Sequence, residues 1–276
     1  MKKKYAIIGN PIKHSLSPTL HNYWFKKYNI DCEYDMVKIE ASEIESVIDK
    51  IKSKRISGIN VTLPFKQKII PHLNKIVNCA KETNSVNTVY LDSENKVVGD
   101  NTDVFGFQAG YLKNISNKQN SNQSALVMGA GGVSPSIILA LIKSNISNIT
   151  VANRTFEKAL FLKKKFPHIK VIKWDDHITK FNNFDIVVNA TNLGLKGGEE
   201  FKNLFNDVKD NLIYIDTIYN PLQTKMIKHL KAKNIKTFNG LDMLIYQGQK
   251  SFYIWHKVNP EVDEELINLL ENKLLS

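Results

Sequence analysis

Two cysteines in 276 residues, Cys32 and Cys79, are too few for a disulfide framework, and no CxxC or Cys/His cluster of zinc type accompanies them. The seven histidines fall at no metal-ligand spacing either, so no metal is expected. Long hydrophobic runs are missing as well. None approaches the about 20 apolar residues that span a bilayer. The basic start MKKK is followed only by YAII before Gly9, Asn10 and Pro11, too short a run for a secretion signal. No internal repeat is present. Acidic residues are outnumbered, 27 against 38 basic, for a net charge of +11. The lysines are spread along the whole chain, and no RNA-recognition, zinc-finger or basic-zipper motif gathers them. Neither nucleic acid nor a membrane is therefore an expected partner. The positive surface suits a polyanionic small ligand. A cytoplasmic, enzyme-sized protein is the expectation.

What is present is an alternation. Hydrophobic content of 42% and charged content of 24% are those of a globular chain, and the length suits two modest domains. The segments KYAIIG, CEYDMVKI, SGINVTL and NTVYL read as strands, with SPTLHNYWFKKY and EASEIESVIDKIKSK as helices between them. A run without apolar residues, SNKQNSNQS at 116–124, reads as a connection or surface loop. A second series follows: ALVMGAGG into SPSIILALIKSN, NITVANRT into FEKALFLKKKF, then DIVVNAT and NLIYIDTIYNP. Residues 241–276 read as wholly helical. Such alternation predicts an α/β protein with mostly parallel sheets.

The second series carries a nucleotide-binding pattern. In ALVMGAGGVS a strand runs into glycines and then a helix. Gly129 permits a tight turn, Gly131 lets backbone approach a pyrophosphate, and Ser134 stands where a third small residue is wanted. The helix N-terminus would hold the anion. The next strand decides the cofactor. Units that take NAD end it with Asp or Glu about 20 residues on. Here Asn153, Arg154 and Thr155 stand there instead. No carboxylate among them repels a 2′-phosphate, and Arg154 offers a planar fork to grip one. The cofactor expected is NADP.

A hydride carrier needs a partner that moves a proton. GINVTLPFKQK places Lys66 in a loop after a strand, with Asn60, Thr62 and Pro64 before it. VVGDNTDVFGF places Asp103 at a helix start, and NSVNTVY puts Asn87 at a strand start. A lysine held by an aspartate makes a positioned acid. Each residue also has a plainer reading, Lys66 as a surface charge and Asp103 as a helix cap.

The motifs GNPIKHSLSP, NVTLPFK, NSVNT, GDNTD, GAGG, ANRT, NAT, YNP and GLDMLIYQG occur in an order and spacing that resemble the shikimate dehydrogenase family over nearly the whole chain. The resemblance implies reversible, NADPH-dependent reduction of 3-dehydroshikimate to shikimate. It implies an N-terminal α/β substrate domain at 1–106, a Rossmann-like NADP-binding domain at 107–240, a cleft between them, and C-terminal helices at 241–276 packing back on the substrate domain. It makes Lys66 and Asp103 the catalytic pair. Ser15 and Ser17 become donors to the substrate carboxylate, with Asn60, Thr62, Asn87, Tyr219 and Gln247 as further substrate contacts. It extends the cofactor set from Gly129, Gly131, Asn153, Arg154 and Thr155 to Ala130, Gly132, Val133, Lys158, Thr191 and Gly240. Ser17 followed by Pro18 also suits a helix cap. Lys158 replaces a common second arginine, and Pro135 removes one N–H from the phosphate loop. A dual quinate/shikimate dehydrogenase using NAD, and a non-catalytic sensor of the same fold, are the alternatives. Arg154 opposes the first, and the intact Lys66 and Asp103 oppose the second. The oligomeric state expected is monomer or homodimer.

Overall fold

The protein is described by a computed structural model covering residues 2–115, 123–175 and 181–275. Most of the polar run at 116–124 lies outside the described residues; its end, Ser124, already begins a buried strand. The chain divides into two compact units, Met1–Gly106 with Leu244–Ser276, and Phe107–Met243.

In the first unit the elements run β1 (Lys3–Gly9), α1 (Ser17–Lys27), β2 (Cys32–Lys38), α2 (Ile44–Lys52), β3 (Gly58–Val61), β4 (Lys75–Ile76), α3 (Cys79–Thr83), β5 (Thr88–Leu91), β6 (Val97–Asp100) and the start of α4 (Asp103–Gly110). Their sheet has the order β2-β1-β3-β5-β6-β4. It is mixed: β1 runs parallel to β2 and β3, whereas β5 is antiparallel to both β3 and β6. β4 runs parallel to β6, so β5 alone runs against the rest and the sheet is mostly parallel, as expected. Helix α2 shows why it packs as it does. Ile44, Val47, Ile48 and Ile51 recur at helical spacing and are all buried, in one core with Ile8, Ile59, Val61 and Phe65.

The second unit holds β7 (Ser124–Met128), α5 (Ser134–Lys143), β8 (Asn148–Asn153), α6 (Phe156–Lys165), β9 (Lys170–Lys173), β10 (Ile186–Asn189), β11 (Ile213–Asp216), α7 (Lys225–Lys231) and β12 (Lys236–Phe238). All its pairings are parallel, in the order β12-β11-β10-β7-β8-β9. Numbered within the sheet this is 3-2-1-4-5-6, the order of doubly wound dinucleotide-binding folds. β7 and β10 are buried at every residue, as strands covered on both faces must be. Their carboxyl ends, Met128 and Asn189, sit side by side where the strand order reverses.

The C-terminal segment is not wholly helical. α8 (Leu241–His256) and α9 (Glu264–Leu275) are separated by a break at 257–263. Lys257 has φ +58°, a left-handed conformation that ends a helix, and Pro260 cannot continue one. Within the first unit the break is tied to α1: Trp24 Nε1 donates to the Glu261 carbonyl at 2.9 Å, and Lys27 pairs with Glu261 and Asp263. Among the described residues no helix is long and apolar enough to cross a membrane.

Candidate active site

In the first unit four of the polar side chains singled out from sequence come together: Lys66, Asp103, Asn87 and Gln247. Lys66 follows β3 and is held by its backbone, whose carbonyl accepts from Val86 N–H at 2.8 Å. Its Nζ lies 2.6 Å from Asp103 Oδ2, and the two side chains are only 13% and 6% exposed. Asp103 begins α4, where a helix N-terminus favours a carboxylate. Asp103 is not the cap of that helix; the Asn101 side chain accepts from Asp103 N–H at 3.0 Å instead. The other Asp103 oxygen accepts from Asn87 Nδ2 at 2.9 Å. Asn87 also donates to Thr102 Oγ1 at 2.9 Å and to Gln247 Oε1 on α8 at 3.2 Å. Lys66, Asp103, Asn87 and Gln247 thus form one connected set.

Asn60 lies in the layer behind them. It is 3% exposed. Its Oδ1 accepts from Tyr34 Oη at 2.7 Å, and its Nδ2 donates to the Asn87 carbonyl, Thr88 Oγ1 and Ser251 Oγ at 3.0, 3.2 and 3.0 Å. The protein thus uses its whole amide. Ser251 also bonds Thr88 and Thr102, at 2.8 and 3.1 Å.

Ser15 is half-buried and Ser17 buried, at the entry to α1. The helix begins at Ser17 itself, so Ser17 is not its N-cap. Ser15 Oγ accepts from Ser17 N–H at 3.3 Å, which leaves the Ser15 hydroxyl hydrogen free to donate. Thr62 sits at the end of β3 and packs against Gly9, where a Cβ would come within 2.5 Å of Thr62 Cγ2. Only glycine lets the ends of β1 and β3 come this close.

In the second unit the glycine loop follows β7. Gly129 has φ +109°, and a Cβ there would come within 2.7 Å of the Ala190 carbonyl. A Cβ on Gly131 would meet no protein atom within 4 Å. Packing inside the chain does not require glycine there, whereas close approach by a pyrophosphate does. Ala130 N–H donates to Asn153 Oδ1 at 3.0 Å, and Gly131 N–H to Ser134 Oγ at 3.1 Å. Gly132 and Val133 are half-buried and lead into α5. Asn153 supports the loop from β8 and donates to the Thr155 carbonyl at 2.7 Å. Arg154, Thr155 and Lys158 are exposed beside it. Arg154 Nη1 meets Glu199 Oε2 at 3.2 Å. The open glycine backbone, the start of α5, the exposed arginine and the absence of a carboxylate at 153–155 fit NADP.

Thr191 is turned by Asn189, whose Oδ1 accepts from its N–H and its hydroxyl at 3.0 and 2.6 Å. Asn189 in turn donates to Asp216 Oδ1 at 3.0 Å. Burial pushes the Asp216 carboxyl up to about 6. Tyr219 is half-buried in the turn after β11. Gly240 has an internal reason to be glycine, because a Cβ would lie 2.2 Å from the Thr217 carbonyl oxygen.

The family described as the shikimate dehydrogenase substrate binding domain matches residues 7–89, and the family described as shikimate / quinate 5-dehydrogenase matches residues 112–238. The shikimate dehydrogenase (NADP(+)) of Pelagibacter ubique is 48% identical over 98% of this chain and 100% of its own. The chain belongs to the shikimate dehydrogenase family. Among solved structures, the shikimate dehydrogenase of Aquifex aeolicus superposes with TM-score 0.85 at 33% identity, covering 100% of this chain and 98% of its own. The Thermus thermophilus shikimate 5-dehydrogenase, solved with NADP(H) and shikimate, gives 0.85 at 27% identity over 99% and 98%.

Sequence reasoning missed part of what holds these side chains together: Tyr34, Thr88 and Ser251. Ser251 had one usable signal. It stands four residues after Gln247, on the same face of α8. Tyr34 had none, being an aromatic in a strand like any other. Among the described residues no cluster of three or more His, Cys, Asp or Glu is grouped to hold a metal ion.

Proposed function

We propose that this protein catalyses the reversible, NADPH-dependent reduction of 3-dehydroshikimate to shikimate, in aromatic amino acid biosynthesis through chorismate. The observation that carries the residue assignment is the buried Lys66–Asp103 pair, 2.6 Å apart and braced by Asn87. NADPH, when bound, supplies the hydride. Lys66 supplies the proton to the substrate carbonyl oxygen in reduction and takes it back in oxidation. Asp103 aims the ammonium and accepts from a ring hydroxyl. Thr62, Asn87 and Gln247 hold the remaining hydroxyls, with Tyr219 as a further contact. Asn60 acts one layer back, keeping Asn87 and Thr88 in place. Ser15 and Ser17 donate to the carboxylate, Ser15 being the better placed because its acceptor lone pair is already engaged.

On the cofactor side, the backbone of 129–133 and the start of α5 hold the pyrophosphate, with the helix dipole favourable to an anion. Arg154, Thr155 and Lys158 hold the 2′-phosphate. Asn153 shapes the loop, and Thr191 lines the way to the nicotinamide. Gly240 serves by close packing. We place the activity in the cytoplasm, in a monomer or homodimer that acts on small molecules alone.

The test is purified protein with shikimate and NADP, followed at the nicotinamide absorbance band. Shikimate-dependent formation of NADPH is expected. No turnover in either direction from folded protein would leave only the sensor reading.

A further inference from the structure

The 2′-phosphate position proposed above already has an anion next to it, and that anion belongs to the chain. Glu199 Oε2 sits 3.2 Å from Arg154 Nη1, with both side chains more than 70% exposed. The placement is built into the loop. The Glu199 carbonyl accepts from Gly194 N–H at 2.7 Å, and Gly198 N–H donates to the Leu195 carbonyl at 2.8 Å. Gly194 and Gly197 have φ of +99° and +78°, values that glycine adopts freely. Lys196 N–H anchors the loop to the Asn220 carbonyl at 3.0 Å. The turn is therefore closed at its base with Glu199 directed at the arginine.

We propose that Glu199 is a specificity-determining residue that limits how strongly this enzyme prefers NADP to NAD. The inference rests on the reading of Arg154 as the 2′-phosphate ligand. A phosphate monoester carries a charge of about −1.5 to −2 at neutral pH. To reach the guanidinium fork it must displace the Glu199 carboxylate or sit beside it. Displacement gives up the existing ion pair, and sharing places two anions on one cation. Either way 2′-phosphate binding is weakened. A 2′-hydroxyl meets no such penalty and can donate to the carboxylate, as it does to the acidic residue of NAD-binding units. Arg154 and Glu199 together thus offer a site for each cofactor.

The expected size is that of an exposed ion pair, about two- to five-fold in affinity. The test measures equilibrium binding of NADP, NAD, 2′,5′-ADP and 5′-AMP to the whole protein by calorimetry. Wild type, Glu199→Gln and Arg154→Ala are compared, and unliganded melting temperatures check the fold. Glu199→Gln should tighten NADP and 2′,5′-ADP about two- to five-fold and leave NAD and 5′-AMP unchanged or slightly weaker. If Arg154→Ala weakens 2′,5′-ADP while Glu199→Gln leaves it unchanged, Glu199 has no such role and the reading of Arg154 stands. If Arg154→Ala weakens phosphorylated and unphosphorylated nucleotides alike, the reading of Arg154 itself fails, and the inference with it.

Discussion

The two units build their parts of the site from different material. In the first, Lys66, Asp103, Asn87, Gln247, Asn60 and Ser251 are largely buried side chains joined to one another by hydrogen bonds. In the second, the proposed cofactor groups are a glycine backbone and an exposed arginine that pairs with another exposed residue, Glu199. A buried network fixes geometry before the ligand arrives, and removing one member leaves others unsatisfied. An exposed clamp selects by charge and leaves the fold alone. Substitutions in the first unit should therefore act on turnover and stability together, and those in the clamp on one ligand only.

The largest effect expected is at Lys66. Lys66→Ala should lower kcat by about 10²–10⁴-fold, the range of a positioned acid, and change the KM for shikimate little. Steady-state kinetics with shikimate varied at saturating NADP separates the two parameters. A preserved kcat with weakened binding would make Lys66 an anchor.

Arg154→Ala comes next. Loss of a charge-assisted contact, about 1.5–3 kcal/mol, should weaken NADP by about 10- to 150-fold, with NAD nearly unchanged. Raising the salt concentration should shrink the difference between cofactors, because an exposed charge is screened. Neither should move the melting temperature by much.

Ser15→Ala sharpens the contrast. The serine accepts from Ser17 N–H at the start of α1, so its loss should lower stability by about 1 kcal/mol. The same change should raise the KM for shikimate about ten-fold or more, since it removes a donor to a carboxylate. Shikimate methyl ester should be far less affected. Melting curves and kinetics on one preparation show whether both losses occur.

The smallest effect at neutral pH concerns buried histidines. His21, fully buried and stacked on Tyr34 with ring centroids 4.3 Å apart, is pushed down to about 3 by burial and then by nearby His256. Burial takes His256 itself down to about 4. The unfolded chain binds these protons near the ordinary value of about 6.5. Between those values the unfolded state holds more protons, so stability is intact above about 6.5 and falls as pH drops toward about 3. One such histidine contributes a loss of about 2 kcal/mol between pH 7 and pH 5. Asp216 in the second unit has the opposite sign. Its raised carboxyl gives stability that is lost as pH rises through about 6. Chemical denaturation at several pH values should show His21→Phe gaining on wild type as pH falls; parallel curves would contradict a buried neutral histidine.

The second unit was the more legible in sequence, because ALVM running into GAGG and then a helix states strand, turn and helix in one line. Its outer strands β9 and β12 were not marked, being short and half-exposed. The first unit hid more. β4 has only two residues, and the β5–β6 hairpin turns through 92–96, where Asn95 has φ +57° and Asp92 N–H bonds the Lys96 carbonyl. That turn makes the sheet mixed, and no apolar periodicity announces it. The residues Lys66, Asp103, Asn87 and Gln247 were legible because motifs surround them. Ser251 and Tyr34 were not, since their role depends on which strands and helices the fold stacks together. The break after His256 had a local signal, Asn259 before Pro260, that a long apolar helix pattern outweighed.

The central claim is that proton handling in the first unit and cofactor selection in the second are separate functions. The most direct measurement is the ratio of kcat/KM for NADP to that for NAD, with shikimate saturating, in wild type, Lys66→Ala, Arg154→Ala and the double variant. Lys66→Ala should leave the ratio within about two-fold of wild type, as independent effects do, although turnover collapses. Arg154→Ala should lower the ratio equally in both backgrounds. A ratio that changes several-fold on Lys66→Ala alone would contradict that claim.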